Sequence, residues 1–533
     1  MLLAGSTKKN YPLRVVLSIS LHVGGVRFHA WLPAVLSMFV MCGPASGQQS
    51  SGKLMDTVRL TLLHEPQIGV ANRQLMFSEG QLQAARGEFD TVLNTGVELA
   101  QAHSPLLQAL QSPAASQVDS NTVSYLLGAT NRLRSGVTVA PTIRLNRVRD
   151  NIQSLTAPAN SIVALNFTFP LQKGGGTRFN TAAERAAEQE SASAGMNLRH
   201  TIASRISRSV NAYWDHLAAL QALDIRRLSE NRSLLLLDDA RRLARGDEIP
   251  QADVLQYEAQ VARDRGLRIA AEQSLVEART ALVLAMGMAG QPDTSVPAPT
   301  DDFPELPAAG MASLSRPWPY SALAARFDVR AQQRRVDAAE ILHEATRRDP
   351  VSQLDLTLSV GYNGLRENRS ALAAWQALNA PAAGLNASIG VVYVLPVQGN
   401  TQAGLVRQRA ALAEQARLEL DSLLQAAHAT VSVQRASVLS AALQLEQARQ
   451  QVRLQTQVFA DERKKYRLGL ATVLDLLTAE ARLTADELGV IDARRRLAQA
   501  LASHRFETAT LLGADGEAQR VTMESLTTLP ELP

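Results

Sequence analysis

Few residues of this sequence have the types and spacing that catalysis or ligand chemistry requires. The glycine run at 174–176 could cradle a phosphate, but it lacks the Gly-Lys-Ser/Thr ending of phosphate-binding loops. His343 and Glu344 resemble the start of a zinc motif, but no second histidine lies four residues after the first. Cys42 is the only cysteine, which excludes disulfides and thiolate metal sites within one chain. We therefore predict that the protein is not an enzyme and uses neither a cofactor nor a metal.

The composition is that of a chain built largely from long helices. Ala, Leu, Gln, Glu and Arg predominate along most of the 533 residues, and only 4% of the residues are aromatic. Such usage is typical of coiled coils rather than of a globular enzyme with a thick core. The net charge is only +4, and no basic patch with interleaved aromatic residues suggests nucleic acid as a partner.

The first 47 residues have the features of a secretory signal peptide. Basic residues precede a short apolar segment at 30–41, and Ala45-Ser46-Gly47 before Gln48 forms an acceptable cleavage site. A membrane anchor is an alternative, but the apolar segment is too short to span a bilayer. In a second alternative, Cys42 is the acylated first residue of a lipoprotein. Because no later stretch has about 18 uninterrupted apolar residues, we predict an exported chain without a membrane-spanning helix.

Four landmarks occur twice in the same order, 222 to 226 residues apart, which indicates a tandem duplication. The pairs are Phe169–Gly174 with Leu395–Asn400, Ala244–Gly246 with Arg467–Gly469, Asp253–Leu255 with Asp475–Leu477, and helix ends at Gly287 and Gly513. Seven prolines between residues 290 and 320 indicate an extended linker between the copies. The predicted divisions are a signal peptide, a first repeat, a linker, a second repeat and a tail, at 1–47, 48–289, 290–320, 321–514 and 515–533.

Each repeat is predicted to contain a helix, two strands, a very long helix, a tight turn and a returning helix. The first helices are expected at 67–86 and 328–348, the strands at 137–147, 161–170, 353–363 and 386–396, and the long helices at 179–243, 251–286, 400–466 and 472–512. Residues 89–101 and 122–133 are further strand candidates, which we place as an extra excursion at the inner rim. The first long helix of each pair is proline-free over about 60 residues, which gives it a length of roughly 90 Å.

Apolar residues recur every seven positions along these helices, beside seams of alanine. The second repeat shows Leu424, Val431, Val438, Leu445, Val452 and Phe459, with Ala427, Ala441 and Ala448 alongside, and the first repeat shows Met196, Ala203, Val210 and Leu217. A strict seven-residue repeat predicts left-handed supercoiling against neighbouring helices. A purely structural coiled-coil rod would have the same seams, so they do not by themselves indicate a channel.

The strands separate a rod from a channel. Each has about ten residues and alternates an apolar with a more polar face, as Val163, Leu165 and Phe167 do with Ala164 and Asn166. That length and alternation suit a tilted strand that crosses a bilayer. Open sheet edges are not tolerated in lipid, and the smallest closed barrels have about eight strands. Several chains must therefore each contribute four strands to one barrel.

Several motifs, in this order and spacing, resemble those of the TolC family of outer-membrane efflux proteins. They are the Pro-Leu-x-x-Gly junction at Pro170–Gly174 with Asn180 beyond it, the turn Tyr466-x-x-Gly469 that continues through Asp475 to Ala479-Glu480, and the segments Phe327–Arg330 and Ala212–Asp215. The resemblance covers nearly the whole mature chain. It implies a mainly α fold with a transmembrane β-barrel, in which three chains with four strands each close twelve strands. A long antiparallel coiled-coil tunnel would continue this barrel from the outer membrane into the periplasm.

The same resemblance implies partners and site residues. A homotrimer in outer-membrane lipid would dock onto a periplasmic adaptor and an inner-membrane pump, as the exit duct of a tripartite efflux pump for small molecules. An exit duct for type I protein secretion is the alternative, and the sequence does not identify the substrate. Adaptor-docking tips are assigned to Arg245, Gly246, Asp247, Tyr466, Arg467, Leu468 and Gly469, aperture positions to Asp253 and Asp475, and strand-to-helix junctions to Pro170, Gly174, Pro396 and Gly399. Thr478 stands where relatives carry a second acidic residue.

The two turns are also predicted on conformational grounds. A turn between long antiparallel helices often needs a residue that can adopt a positive φ, and glycine does so without steric cost. We therefore expect positive φ angles at Gly246 and Gly469.

Overall fold

The computed structural model describes residues 52–531, apart from 106–116, 152–157, 248, 291–296, 308–309, 312–313, 368–372, 378–382 and 514–520. The predicted signal peptide, its cleavage site and Cys42 lie outside the described residues. Their predicted roles therefore stay predictions.

Each half of the chain is dominated by a pair of long helices. The first half contains α1 (Leu54–His64), α2 (Pro66–Arg86), α3 (Thr177–Asn180), α4 (Ala182–Arg245) and α5 (Gln251–Ala285). The second half contains α6 (Phe327–Arg348), α7 (Ala373–Gln376), α8 (Asn400–Arg467), α9 (Val473–Glu507) and α10 (Met523–Thr527). Short 3-10 helices cover Gly87–Phe89 and Tyr320–Ala325. With 64 and 68 residues, α4 and α8 are each about 100 Å long.

The long helices pack as two antiparallel hairpins, α4 with α5 and α8 with α9, and α4 also packs against α9. The shorter α2 and α6 pack against α4, and α6 also packs against α8. None of the helices in the described ranges combines the length and apolar character that a membrane span requires.

The strands of the described residues form one antiparallel sheet. It has six strands, whereas four were predicted. They are β1 (Val92–Pro105), β2 (Gln117–Arg132), β3 (Thr138–Asp150), β4 (Pro158–Pro170), β5 (Gln353–Glu367) and β6 (Ala383–Val394). Their order in the sheet follows the chain from β1 to β6. The duplicated halves meet where β4 pairs with β5, for example at Val163 opposite Tyr362. The predicted fold class is confirmed, and the sheet of one chain does not close on itself.

The β1–β2 hairpin also corrects the predicted excursion at the inner rim. Strand β2 pairs with β3 from Ser120 opposite Asp150 to Arg132 opposite Thr138, which is the full length of the sheet. At 16 residues β2 is longer than the 13-residue β3, and the pairing covers β3 from end to end except at Ala140 and Pro141. The hairpin is therefore part of the sheet. Its place could not be read locally, because an alternating strand does not reveal which strand it pairs with.

The predicted seven-residue seams lie in the packed interior. Val431, Val438 and Leu445 are buried along α8, and Val210 and Leu217 are buried along α4. Ala427, Ala441 and Ala203 are buried beside them, whereas Leu424, Phe459 and Met196 are partly buried. Small and large apolar residues thus alternate where neighbouring helix axes approach closely.

The proline-rich linker packs onto the long helices. Residues 297–307 have no regular secondary structure, and the Phe303 ring lies 5.6 Å from that of Trp214. The Asp301 carboxylate accepts a hydrogen bond from the Tyr213 hydroxyl at 2.9 Å and from the Leu54 N–H at 2.6 Å. Tyr213 and Trp214 belong to the largest apolar cluster of the described chain. The Ala212–Asp215 motif therefore contributes to the core.

Candidate functional site at the helical hairpin tips

The α8–α9 hairpin turns through a cap centred on Gly469. Gly469 has a φ of +73°, which confirms the positive φ predicted there. Its N–H donates to the Tyr466 carbonyl at 3.0 Å, and the Leu470 N–H donates to the Lys465 carbonyl at 2.9 Å. These two bonds form a Schellman motif, which satisfies carbonyl groups at the end of α8. A Cβ at Gly469 would meet no atom within 4 Å, so the backbone conformation alone favours glycine.

Thr472 and Asp475 begin the returning helix with a capping box. The Asp475 N–H donates to Thr472 Oγ1 at 3.2 Å, and the Thr472 N–H donates to Asp475 Oδ2 at 2.9 Å. The Thr472 hydroxyl also donates to Oδ2, at 2.6 Å. These hydrogen bonds from the Thr472 side chain and backbone hold the pKa of Asp475 below its usual range. Asp475 is thus an ionised helix cap, and its role at an aperture stays a prediction.

The α4–α5 turn differs from its counterpart and corrects the conformation predicted for Gly246. Gly246 has a φ of −80°, which any residue adopts. The positive φ, 61°, falls on Asp247 instead. Aspartate is one of the few residues besides glycine that adopt this region readily, so the turn does not need glycine there. Asp253 is the third residue of α5, the position that Asp475 has in α9.

An apolar cluster joins the two hairpins next to their turns. Its buried members come from α4, α5 and α9: Leu236, Leu237, Ala240, Val254, Tyr257, Val261, Val473, Leu476 and Leu477. Tyr466 packs against it, and burial together with the neighbouring Tyr466 hydroxyl raises the pKa of Tyr257. A groove of about 570 Å³ beside the cluster is lined by residues of both tips, including Asp253, Tyr466, Arg467 and Gly469. The structure therefore brings the two predicted tips together into one surface.

Leucines project from this surface into solvent. Leu468, Leu470 and Leu474 expose 73%, 75% and 66% of their surface, and Leu255 exposes 65%. The charged residues Arg245, Asp247 and Arg467 are exposed around them. Exposed apolar side chains rimmed by charges are typical of protein interaction sites. Of these four, only Leu468 was predicted from the sequence. For Leu470 an available signal was a leucine in a turn, where polar residues are usual, whereas Leu255 and Leu474 lie within helices.

A buried polar network beyond the turn links α4 to α9. Glu480 exposes only 1% of its surface; it accepts hydrogen bonds from Ser229 Oγ at 3.0 Å and from Arg232 Nε at 3.1 Å. Arg232 also pairs with Glu487 at 3.0 Å, and the Thr484 hydroxyl donates to Glu480 at 2.9 Å. A buried carboxylate is costly unless it is paired, so these contacts fix how the hairpins meet. No local sequence pattern indicates this pairing, because Arg232 and Glu480 lie 248 positions apart.

The predicted strand-to-helix junctions lie at the other end of α4 and α8. Gly174 has a φ of +77° and donates its N–H to Asp349 Oδ1 at 3.1 Å. Gly399 has a φ of +61° and caps the start of α8. Pro170 ends β4, and Pro396 follows the end of β6. These residues turn the chain from sheet to helix and take no part in the tip surface.

Comparisons with known proteins agree with this architecture. Residues 318–505 match the family model described as outer membrane efflux protein. A comparison with curated proteins gave no match. Among the described residues, no group of three or more His, Cys, Asp or Glu side chains could hold a metal ion.

Three solved outer-membrane channels share the fold over most of both chains. The Campylobacter jejuni CmeC channel is 12% identical, with 90% of each chain covered and a TM-score of 0.63. VceC from Vibrio cholerae is 16% identical over 90% of this chain and 97% of its own, with a TM-score of 0.59. The open state of Neisseria gonorrhoeae MtrE is 16% identical over 86% of this chain and 89% of its own, also with a TM-score of 0.59.

The sheet, the paired long hairpins and the match of residues 318–505 agree with the architecture of outer-membrane efflux channels, whose helical part extends into the periplasm. In fold and in this family match, the chain is similar to the TolC family of outer membrane efflux proteins.

Proposed function

We propose that three copies of this chain form the exit duct of a tripartite efflux pump. A periplasmic adaptor and an inner-membrane pump would deliver small molecules to the hairpin end, and the duct would conduct them passively to the exterior. The observation that carries the proposal is the combination, in one chain, of a sheet with an apolar face and two hairpins whose longer helices are each about 100 Å long. The sheet suits lipid, while the hairpins reach far from the membrane plane.

The sheet also supports assembly from several copies. Hydrogen-bonding groups at an open sheet edge cannot be satisfied by lipid, so a membrane-spanning sheet must close. One chain supplies six strands in an open sheet, fewer than the roughly eight of the smallest membrane barrels. Closure therefore needs further copies, and the similarity to a family of trimeric channels supports three.

The tip surface supports docking of another protein. Leu468, Leu470 and Leu474 are exposed where two hairpins end together. The Schellman motif at Gly469 and the capping box at Thr472 hold this turn in one conformation. A rigid apolar surface with exposed charges at its rim suits a complementary helical hairpin of an adaptor, because little ordering entropy is lost on binding.

Site-specific photo-crosslinking in the native host tests this docking. A photoreactive amino acid at Leu468 or Leu470 should capture the adaptor, whereas the same group at Leu418 should not. Leu418 is also exposed, at 60%, and lies in the same helix, about 75 Å from the tip at 1.5 Å per residue. Equal capture from Leu418 and Leu468, or none from either tip position, would contradict the docking assignment.

The pump that accompanies the captured adaptor separates the two kinds of duct. An energised pump for small molecules, together with intracellular accumulation of its substrate when Gly469 is replaced by alanine, supports the efflux duct. Co-purification of a pump for protein substrates, with loss of a secreted protein, would instead support the type I secretion duct. The two kinds of duct share the fold, so the identity of the partner pump distinguishes them.

A further inference from the structure

The β1–β2 hairpin continues the two-faced character of the main sheet. On one face of β1 lie Leu93, Val97 and Leu99, and the facing residues of β2 include Ala129, Tyr125 and Val123. The same face continues through β3 to β6, as in the row Leu127, Ile143, Val163, Tyr362 and Leu385, which meets β1 at Thr95, between Leu93 and Val97. The opposite face is more polar, with Asn94, Ser124, Asn146, Asn166, Ser359 and Ser388. A single apolar band thus crosses all six strands at one height, as a lipid-facing band does.

The hairpin is also fixed to the rest of the chain at the helical end of the sheet. The Arg132 guanidinium donates to Asn180 Oδ1 at 2.6 Å, and Arg134 donates two hydrogen bonds of 2.9 Å to Glu184 at the start of α4. Gly136, in the turn between β2 and β3, has a φ of +92°. A Cβ there would lie 2.4 Å from the Gly174 carbonyl oxygen. The turn therefore docks closely on the strand-to-helix junction, and β2 is held beside β3.

The two outer strands of the sheet are left as edges. Within the described residues, β1 pairs only with β2 and β6 only with β5. Both edges carry exposed apolar side chains on the same face of the sheet: Leu93, Val97 and Leu99 in β1, and Leu385, Ile389 and Val391 in β6. A long apolar edge strand pairs with another strand unless it is covered. Since the chain direction alternates from β1 to β6, an antiparallel pair forms when β6 of one copy meets β1 of the next.

From this continuity we propose that β1 of one copy pairs with β6 of the next, so that three copies close a barrel of eighteen strands rather than twelve. The inference rests on the proposed function for the number of copies. Barrel diameter grows roughly in proportion to strand number, so this exit would be about 1.5-fold wider than a twelve-stranded one. The added hairpin would therefore be the element that sets the width of the outer opening.

Cysteine cross-linking in outer-membrane vesicles tests the edge pairing. Val97→Cys would be combined in turn with Leu385→Cys, Ala387→Cys, Ile389→Cys and Val391→Cys, which samples the unknown register. In the matched control set, Ile143→Cys in β3 replaces Val97→Cys. All these residues lie on the apolar face. Within one chain β1 and β6 are five strands apart, about 24 Å, so a disulfide can form only between copies.

After oxidation, at least one Val97 combination should give bands of two and three chains on a non-reducing gel. All Ile143 combinations should stay at one chain, because β2 covers the edge of β3. The reverse result would overturn the proposal, since it would mean that β3 forms the edge and that the hairpin lies outside the wall. The parent chain, with Cys42 as its only native cysteine, serves as the background control.

Cryo-electron microscopy of the wild-type assembly in nanodiscs gives a count that does not depend on cysteine chemistry. Eighteen strands around the wall are expected, and twelve would overturn the inference even if no disulfide formed. The mass of the same sample separates this result from failure of the proposed function. A trimer with twelve strands contradicts only the edge pairing, whereas a stable monomer contradicts the duct itself and the pairing with it.

Discussion

At the residue scale, the two hairpin turns show that similar sequences reach the same reversal by different backbone conformations. Gly469 occupies the left-handed region, whereas at the other tip Asp247 does so and Gly246 stays at a negative φ. The partial match of Ala244–Gly246 to the full Arg467–Gly469 motif already indicated a difference. The motif did not indicate which residue of the first turn would adopt the positive φ.

Replacing each turn glycine with alanine should therefore have unequal effects. Gly469→Ala forces a Cβ into the left-handed region, which costs about 1–2 kcal/mol, and should increase amide hydrogen exchange around residues 466–472 and weaken export. Gly246→Ala is the matched control; because its φ of −80° suits alanine, both readouts should stay near wild type. Equal losses in both variants would show that the φ at Gly469 is not what the tip requires.

A second prediction at this scale separates the two roles of Asp475. Thr472→Ala removes the cap but keeps the charge, and it should loosen the first turn of α9 by about 1 kcal/mol. Asp475→Asn removes the charge. If three Asp475 carboxylates line an aperture, only Asp475→Asn should lower cation selectivity, because fixed negative charge attracts cations.

Planar-bilayer reversal potentials in potassium chloride gradients measure that selectivity, and hydrogen exchange measures the cap. Asp253→Asn, at the corresponding position of α5, tests the second predicted aperture residue by the same two measurements. An unchanged reversal potential for Asp475→Asn, with loosening of α9 in both Thr472→Ala and Asp475→Asn, would leave Asp475 as a helix cap alone.

At the element scale, the long helices are held together by buried side chains whose partners lie on other helices. Packing along the apolar seams needs only residues of matching size, but burial of Glu480 of α9 needs hydrogen bonds from Arg232 and Ser229 of α4. The linker similarly supplies Phe303 and Trp318 to the helices. Each helix is therefore specified by its own pattern, whereas its partner is specified by a few polar and aromatic contacts.

His504 of α9 gives a pH prediction at this scale. It exposes 3% of its surface, its ring lies 6.2 Å from that of Trp318, and burial lowers its pKa to about 4. The unfolded chain has the higher pKa and gains a proton first. The folded state should therefore lose stability as the pH falls from about 6.5 to about 4, by roughly 3 kcal/mol per chain.

His504→Leu should remove that part of the acid sensitivity, because leucine does not titrate. Melting temperatures of the detergent-purified assembly at pH 7.5 and pH 4.5 should differ less in this variant than in wild type. His428→Leu, at an exposed position of α8, should leave the difference as it is. The interpretation would fail if both variants had the acid sensitivity of wild type.

At the scale of the whole molecule, the tandem duplication gives each half of the chain a helical hairpin and a pair of strands. The additional β1–β2 strand hairpin, present only in the first half, breaks this symmetry. β4 and β5 join the duplicated strand pairs in one sheet, and the hairpin tips meet at the far end of the helices. The protein therefore places an apolar band and the proposed docking surface at opposite ends of α4 and α8. The open sheet edges make assembly part of the fold, because neither edge is satisfied in lipid by one chain.

The sequence by itself determined the elements and the fold class. Seven-residue apolar repeats and two-residue alternation are local periodicities, so they predict long helices and two-faced strands wherever they occur. The internal repeat and the motifs at Pro170–Gly174 and Tyr466–Gly469 then indicated the order of these elements and the resemblance to the TolC family. The positive φ at Gly469 followed from the same turn chemistry.

Only the tertiary structure decided which elements pair across the chain. The β1–β2 hairpin belongs to the sheet because β2 pairs with β3 from one end of β3 to the other, and nothing in residues 92–132 alone specifies that partner. Likewise Arg232 and Glu480 are ordinary surface residue types until burial makes each depend on the other. Periodicity fixes what a segment is, but long-range hydrogen bonding and desolvation fix what it lies against, and these depend on residues hundreds of positions away.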